Sequence, residues 1–283
     1  MKMKSKIIIK KPAITYNLHV ENNHNYVANN VVVSNCHGAK ADMLKNILTG
    51  PMAHIPVRWG LTGTVPKEEL AKAGILCAIG PVLNEVSAKS LQEKGVLANC
   101  HVNVVQLIDI KEYPNYQSEL KYLLTDNERQ NYLAGLIATV SKSGNMLVLV
   151  DRVQAGKDIV VKLNDNGFDA MFVSGATKGD KRKETYDEIK TGTNKIIVAT
   201  YGVAAVGINI PRIFNLMLLE PGKSFIRVIQ SIGRGIRKAE DKDFVQIWDV
   251  TSTCKFAKRH LTQRKKFYKE AQYEYSIEKV DWQ

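Results

Sequence analysis

The segment Gln230-Ser-Ile-Gly-Arg-Gly-Ile-Arg237 sets two guanidinium groups, Arg234 and Arg237, three residues apart. On a helix that spacing puts both on one face, where they can reach a single anion. A guanidinium fork makes directed, charge-assisted bonds to phosphoryl oxygens, so the pair suits neutralising charge that builds on a transferring phosphoryl group. Gln230 stands one turn before Arg234 on the same side and can orient water or phosphate. Gly233 and Gly235 let backbone come close. Upstream, Val198-Ala-Thr-Tyr-Gly-Val-Ala-Ala-Val-Gly-Ile-Asn-Ile-Pro211 ends a buried strand in a loop. Its Thr200, Gly202 and Gly207 fall at the carboxyl edge of that strand, where open α/β sheets place ligands. Lys223-Ser224, just before the arginine helix, suits either a phosphate contact or an N-terminal cap at Ser224.

The elements around these groups alternate between strand and helix, the pattern of a parallel sheet covered by helices. A helix is expected over Ala39–Leu48, stopped by Gly50-Pro51, and a strand over Trp59–Thr64 that ends in a Gly/Thr loop. A strand over Val102–Ile110 runs into Pro114, and a domain joint is expected near Leu97–Tyr116. Helices follow over Asn127–Ser141, Ala155–Asn164, Lys181–Lys190 and Ser224–Ile232. Strands are expected over Asn145–Val150, Asp169–Val173, Lys195–Thr200, Leu216–Leu219 and Phe244–Val250. Lys255–Lys269 reads as a basic helix with Phe256, Leu261, Phe267 and Tyr268 as its apolar positions. It can pack on the domain with a solvated charged face, or turn that face to nucleic acid. Residues 1–35 have a different texture: Ile14–Val20 and Val31–Val33 read as short strands, with a turn over Glu21–Asn25.

The 283 residues carry a formal net charge of +12, which favours a polyanionic partner. Lys2, Lys4, Lys6, Lys10 and Lys11 against Glu21 concentrate part of that excess at the front. No apolar run is long enough to span a membrane. Ile7–Ile9 is too short for the apolar core of an export signal, so the expected place is the cytoplasm. Cys36, Cys77, Cys100 and Cys254 form no paired motif, and neither a disulfide framework nor a zinc site is indicated. Cys77, Cys100 and Cys254 are expected as buried thiols.

In order along the chain, Cys36-His37, Leu61-Thr62-Gly63-Thr64, the Val198–Pro211 segment and the Gln230–Arg237 segment resemble the motifs of a superfamily-two DExH helicase. The resemblance runs from residue 36 to the end. It implies RecA-like parallel sheets, a partial first domain over 36–105 and a complete second domain over 106–283 with a basic tail. His37 would close an Asp-Glu-Cys-His box. Thr62 and Thr64 would couple ATP state to the grip on nucleic acid, together with Thr200 and Lys223. Gly207, Asn209 and Gly233 would lie at the nucleotide, and Gln230, Arg234 and Arg237 would serve the ATPase. Asn209 stands where many of these helicases carry Asp. Val173-Ser-Gly175, Tyr201-Gly202, Gly222-Lys223-Ser224, Trp248-Asp249 and the aromatic-basic tail are similar to the phage UvsW-type family, which implies branched DNA as substrate. Host cytoplasm is then the expected location.

No GxxxxGK[ST] occurs, and Val31-Val-Val-Ser-Asn35 stands where such a helicase has its strand and Asp-Glu. The chain is therefore not expected to hydrolyse ATP alone. The segment Ile14–Asn35 instead resembles the C-terminal fragment of a split intein, a short all-β piece. His24-Asn-Tyr-Val-Ala-Asn29 and Val31-Val-Val-Ser-Asn-Cys36 carry that resemblance, with Ser34 at the commoner penultimate His. The residue types fit the chemistry. The Cys36 thiol can accept an upstream segment as a thioester, sulfur being the strongest side-chain nucleophile near neutral pH. The Asn35 amide can attack its own carbonyl, forming a succinimide and breaking the Asn35–Cys36 bond, with His24 delivering protons. An S-to-N shift would leave a peptide bond, and no cofactor is needed for splicing. The implied partner is an N-terminal helicase half that carries the phosphate loop and Asp-Glu, fused to an acidic intein N-fragment. ATP and Mg2+ belong to the assembled helicase. The alternatives are an unspliced remnant that binds nucleic acid, or a motor assembled without splicing.

Overall fold

In the computed structural model the described residues are 25–28, 31–35, 42–54, 57–61, 65, 68–177, 184–189, 192–203, 210 and 212–283. Contacts divide the chain into two compact units, Met1–Leu83 and Asn84–Gln283. In the first, Asn25–Ala28 (β1) and Val31–Asn35 (β2) form an antiparallel hairpin. β2 also pairs in parallel with Val57–Leu61 (β3), Val31 opposite Val57 and Asn35 opposite Leu61. Two helices, Asp42–Thr49 (α1) and Glu69–Ala78 (α2), bury Leu48 against Ala78. The expected Ile14–Val20 strand lies outside the described residues.

The second unit begins with Ala88–Glu93 (α3), Asn99–Leu107 (β4), Tyr116–Thr125 (α4) and Asn127–Ser141 (α5). Met146–Val150 (β5), Val153–Asp165 (α6), Ala170–Val173 (β6), a helical stretch over residues 184–189 (α7) and Ile196–Thr200 (β7) follow. Asn215–Leu219 (β8), Phe225–Gly235 (α8), Phe244–Ser252 (β9), Lys255–Glu270 (α9) and Glu274–Val280 (β10) complete it. The seven strands lie in the order β10-β4-β9-β8-β5-β7-β6, every pairing parallel.

The strand sequences explain that sheet. β5, β7 and β8 are near-continuous apolar runs, as needed when helices cover both faces. Alternation then divides each strand between two cores. Leu147, Leu149, Ile197, Leu216 and Leu218 pack with Val228 and Ile232 of α8 and Leu261 and Tyr268 of α9. Met146, Val148, Ile196, Val198 and Met217 pack with Leu133 and Ile137 of α5 and Ile159 and Leu163 of α6. α6 comes closest at Gly156, where an added Cβ would lie 2.4 Å from Phe172 Cε2 and 2.9 Å from Val150 Cγ2. Gly156→Ala is therefore expected to lower unfolding free energy by about 1–3 kcal/mol, overpacking outweighing alanine's better helix propensity. Urea denaturation followed by circular dichroism checks the sign; a stabilised variant would contradict this packing.

The structure departs from the sequence reading at particular elements. The strand expected near a domain joint, β4, sits inside the second unit's sheet between β10 and β9, because its apolar residues feed both cores. α4 and β10 were not expected. Of the three thiols expected to be buried, only Cys254 is; Cys100 is half-buried and Cys77 is exposed, off the Ile75–Ala78 line by which α2 packs. Burial pushes the Cys100 and Cys254 thiols up to about 11. Among the described residues no helix is long and apolar enough to cross a membrane.

Candidate functional site

α8 is held at both ends and along one side. At its start Ser224 is the cap, its Oγ accepting from the Arg227 backbone N–H at 3.3 Å; Lys223 beside it is exposed. The stripe Val228, Ile232 and Ile236 is buried on the sheet. Gly235 brings the helix onto β8, where a Cβ would lie 2.9 Å from Leu216 Cδ2. At the far end buried Lys242 donates from Nζ to the Gly235 carbonyl at 2.8 Å, and Ala98 N–H donates to the Ile236 carbonyl at 2.9 Å. Arg237 forms an isolated antiparallel bridge with Leu97.

This anchoring leaves Gln230, Gly233, Arg234 and Arg237 half-buried on the remaining surface of the helix and its end. Burial, and after it the neighbouring Arg237 charge, holds the Arg234 guanidinium below its ordinary value. Burial does the same to Arg237. Two partly desolvated cations this close gain from any anion placed between them. The structure thus brings the expected arginine pair together.

The carboxyl edge of the sheet is built separately. Thr200, half-buried, is the last residue of β7. Arg227 Nη1 bonds Asp151 at 2.7 Å just past β5, and its guanidinium lies 5.1 Å over the Tyr201 ring. Tyr201 donates to the Leu219 carbonyl at 3.2 Å. The first turn of α8 is therefore pinned to the strand ends, while the helix runs back until Gly235 reaches the start of β8. Thr200 and the arginine pair lie toward opposite ends of the strands. At the end of β8 buried Glu220 adopts a left-handed backbone (φ 45°), held by Arg129 Nη2 at 2.9 Å and Thr251 Oγ1 at 3.2 Å. Burial pushes its carboxyl up to about 7, against the opposing pull of Arg129 and Arg264.

Sequence reasoning missed the groups that fix the loop before α8. Asp249 in β9 accepts two bonds from Arg264 of α9, at 2.8 and 2.9 Å, and one from the Tyr268 hydroxyl at 2.7 Å. Arg264 also donates to the Gly222 carbonyl at 2.7 Å. Arg264 is 1% exposed and Asp249 fully buried, so a residue expected on a solvated basic face is part of the core. Its signal was register, for Arg264 falls on the Ala257–Leu261–Tyr268 stripe. Glu119, fully buried on α4, caps α9 by accepting from Phe256 and Ala257 N–H at 2.9 and 2.6 Å.

Ser34 and Asn35 end β2. His24, Cys36, His37, Thr62, Thr64, Gly207 and Asn209 lie outside the described residues. Among the described residues no group of three or more carboxylate, His or Cys side chains could hold a metal ion.

The second unit has the parallel α/β fold of RecA-like helicase C-terminal domains. Residues 128–239 match the family described as helicase conserved C-terminal domain. Among curated proteins, the ATP-dependent DNA helicase uvsW of Enterobacteria phage T4 is 26% identical over 239 residues, covering 82% of this chain and 47% of that protein. Putative helicase 22 of the Sulfolobus islandicus filamentous virus is 26% identical over 236 residues, covering 78% and 42%. The crystal structure of T4 UvsW superposes with a TM-score of 0.58 at 21% identity, over 89% of this chain and 54% of that one. A putative HsdR subunit of a type I restriction enzyme from Vibrio vulnificus YJ016 reaches 0.70 at 17% identity, over 89% and 48%. The chain spans less than half the length of these two curated relatives.

Proposed function

We propose that this chain is the C-terminal part of an ATP-dependent helicase that translocates on branched DNA, and that residues 1–35 join it to its N-terminal half by protein trans-splicing. The observation that carries the motor reading is the Arg234–Arg237 pair, close together and partly desolvated on an anchored helix. Such a pair stabilises the anionic transition state of phosphoryl transfer. ATP with Mg2+ supplies that phosphoryl group, and the partner's phosphate loop and Asp-Glu hold the metal. The splicing reading rests on the Asn35-Cys36 junction, which falls where the helicase box breaks off. On this reading the residues from Cys36 to Leu83 complete the first RecA-like domain, and the unit Asn84–Gln283 forms the second.

The test is intact-mass spectrometry after mixing the chain with a helicase N-half that ends in Asp-Glu and is fused to an acidic intein N-fragment. A ligated product whose downstream part begins at Cys36, with a free fragment ending at Asn35, is expected. Asn35→Ala is expected to abolish release of that fragment, since alanine has no amide to cyclise; undiminished release would remove Asn35 from its role. If both chains keep their masses while the pair gains ATPase, assembly is non-covalent and the splicing reading fails.

A further inference from the structure

The surface around the first half of α9 carries chemistry that the arginine pair does not use. Tyr116, the first residue of α4, meets two rings of α9: His260 edge-on at 4.6 Å between centroids, and Phe256 at 6.4 Å. All three are half-buried. The Tyr116 hydroxyl lies against the loop before α8, 3.6 Å from where a Gly222 Cβ would stand, which brings exposed Lys223 to the same place. Residues of a helix advance about 100° each. Exposed Lys255 and Arg259 therefore form a row beside Phe256 and His260. Lys258 and Lys265 fall on the opposite flank of the buried Ala257–Leu261–Tyr268 stripe.

The electrostatics agree with that geometry. Burial, followed by the charges of Arg264, Lys223 and Arg259, holds the His260 imidazole down at about 4. Lys223 and Arg259 thus bear on the ring from the surface, whereas Arg264 is matched by Asp249 in the core. The acidic groups that act on the Tyr116 hydroxyl, Asp151 and Glu220, are each already bonded to an arginine, Arg227 at 2.7 Å and Arg129 at 2.9 Å.

We infer that Tyr116, Phe256 and His260, bordered by Lys223, Lys255 and Arg259, bind a single-stranded nucleic-acid segment, phosphates on the cations and an unpaired base against the rings. Cations alone would suit any polyanion. The rings add a preference for bases whose faces are open, because a duplex hides those faces in its own stack. The inference extends the nucleic-acid part of the proposed function, and needs neither splicing nor ATP.

The experiment is fluorescence anisotropy of a labelled oligothymidylate titrated with the full unspliced chain, without partner or nucleotide. Lys255→Glu with Arg259→Glu is expected to weaken binding about tenfold or more, given how strongly phosphate contacts govern such affinity. Lys258→Glu with Lys265→Glu makes the same charge change on the other flank and is expected to weaken it less than about threefold. Phe256→Leu, which keeps apolar volume but loses the aromatic face, is expected to cost about fivefold or more on oligothymidylate and little on an abasic strand of equal length. The His260 imidazole, followed by NMR, is expected to titrate at higher pH once the strand is bound. Equal loss from both flanks, or Phe256→Leu weakening both strands alike, would overturn the site. A failure to splice or to turn over ATP leaves this assay intact, so the two readings fail separately.

Discussion

Arg234→Ala in the ligated product is expected to lower ATP turnover by a factor on the order of 10³, the lower end of what an arginine finger contributes. Ligation itself, read as the mass of the joined chain, is expected to be unchanged, because Arg234 lies far along the chain from the Asn35-Cys36 junction. The structure gives the reason to expect a clean loss of chemistry. α8 keeps its seat through Val228, Ile232 and Ile236, the Ser224 cap and the Lys242 bond to the Gly235 carbonyl, none of which involves the Arg234 side chain. Arg234→Lys keeps a charge but not a planar fork and is expected to recover little activity. Turnover within tenfold of the unaltered product would remove Arg234 from the reaction.

Asp249→Ala is expected to be the most damaging substitution to stability, about 3–5 kcal/mol, because it strands the buried Arg264 guanidinium without its counter-charge. That is a large share of the roughly 5–15 kcal/mol that separates a folded domain from its unfolded chain. Tyr268 loses its acceptor as well, and the Gly222 loop loses the arginine that α9 holds against it. The urea midpoint of the full chain, followed by circular dichroism, measures the loss. The double change Asp249→Leu with Arg264→Met is expected to restore most of it, since a packed apolar pair of similar volume often equals a buried ion pair. A loss below about 1 kcal/mol for Asp249→Ala would mean that Arg264 finds water or another acceptor when Asp249 is gone.

Much of the sheet was legible because its central strands are short apolar runs bounded by turn residues. β5, β7, β8 and β9 fall within a few residues of their expected bounds, and α5 matches from end to end. The reasons for the misses are physical. β10 reads Glu-Tyr-Ser-Ile-Glu-Lys-Val, with little buried along its length, so an edge strand looked like a charged tail. Tyr116–Thr125 packs through Leu120, Leu123 and Leu124, but its buried Glu119 and Tyr122 blurred the apolar stripe. The arginine pair was visible as spacing alone. Arg264 was hidden in a run of cations, where sequence does not say which charge the core will take.

One consequence follows from the pairing of β2 with β3. Asn35 closes β2 opposite Leu61, so the bond proposed to break lies at the very end of a five-residue ladder. Cutting a covalent bond leaves that ladder untouched. The excised peptide would begin its free existence as a guest strand on the product's own sheet. A helicase places its own strand before Asp-Glu, and that strand would have to win the same edge of β3 from the guest. On the splicing proposal, maturation would then be a strand exchange after the chemistry is over. Joined chain would accumulate first, and a competent motor would emerge only as fast as the old strand lets go.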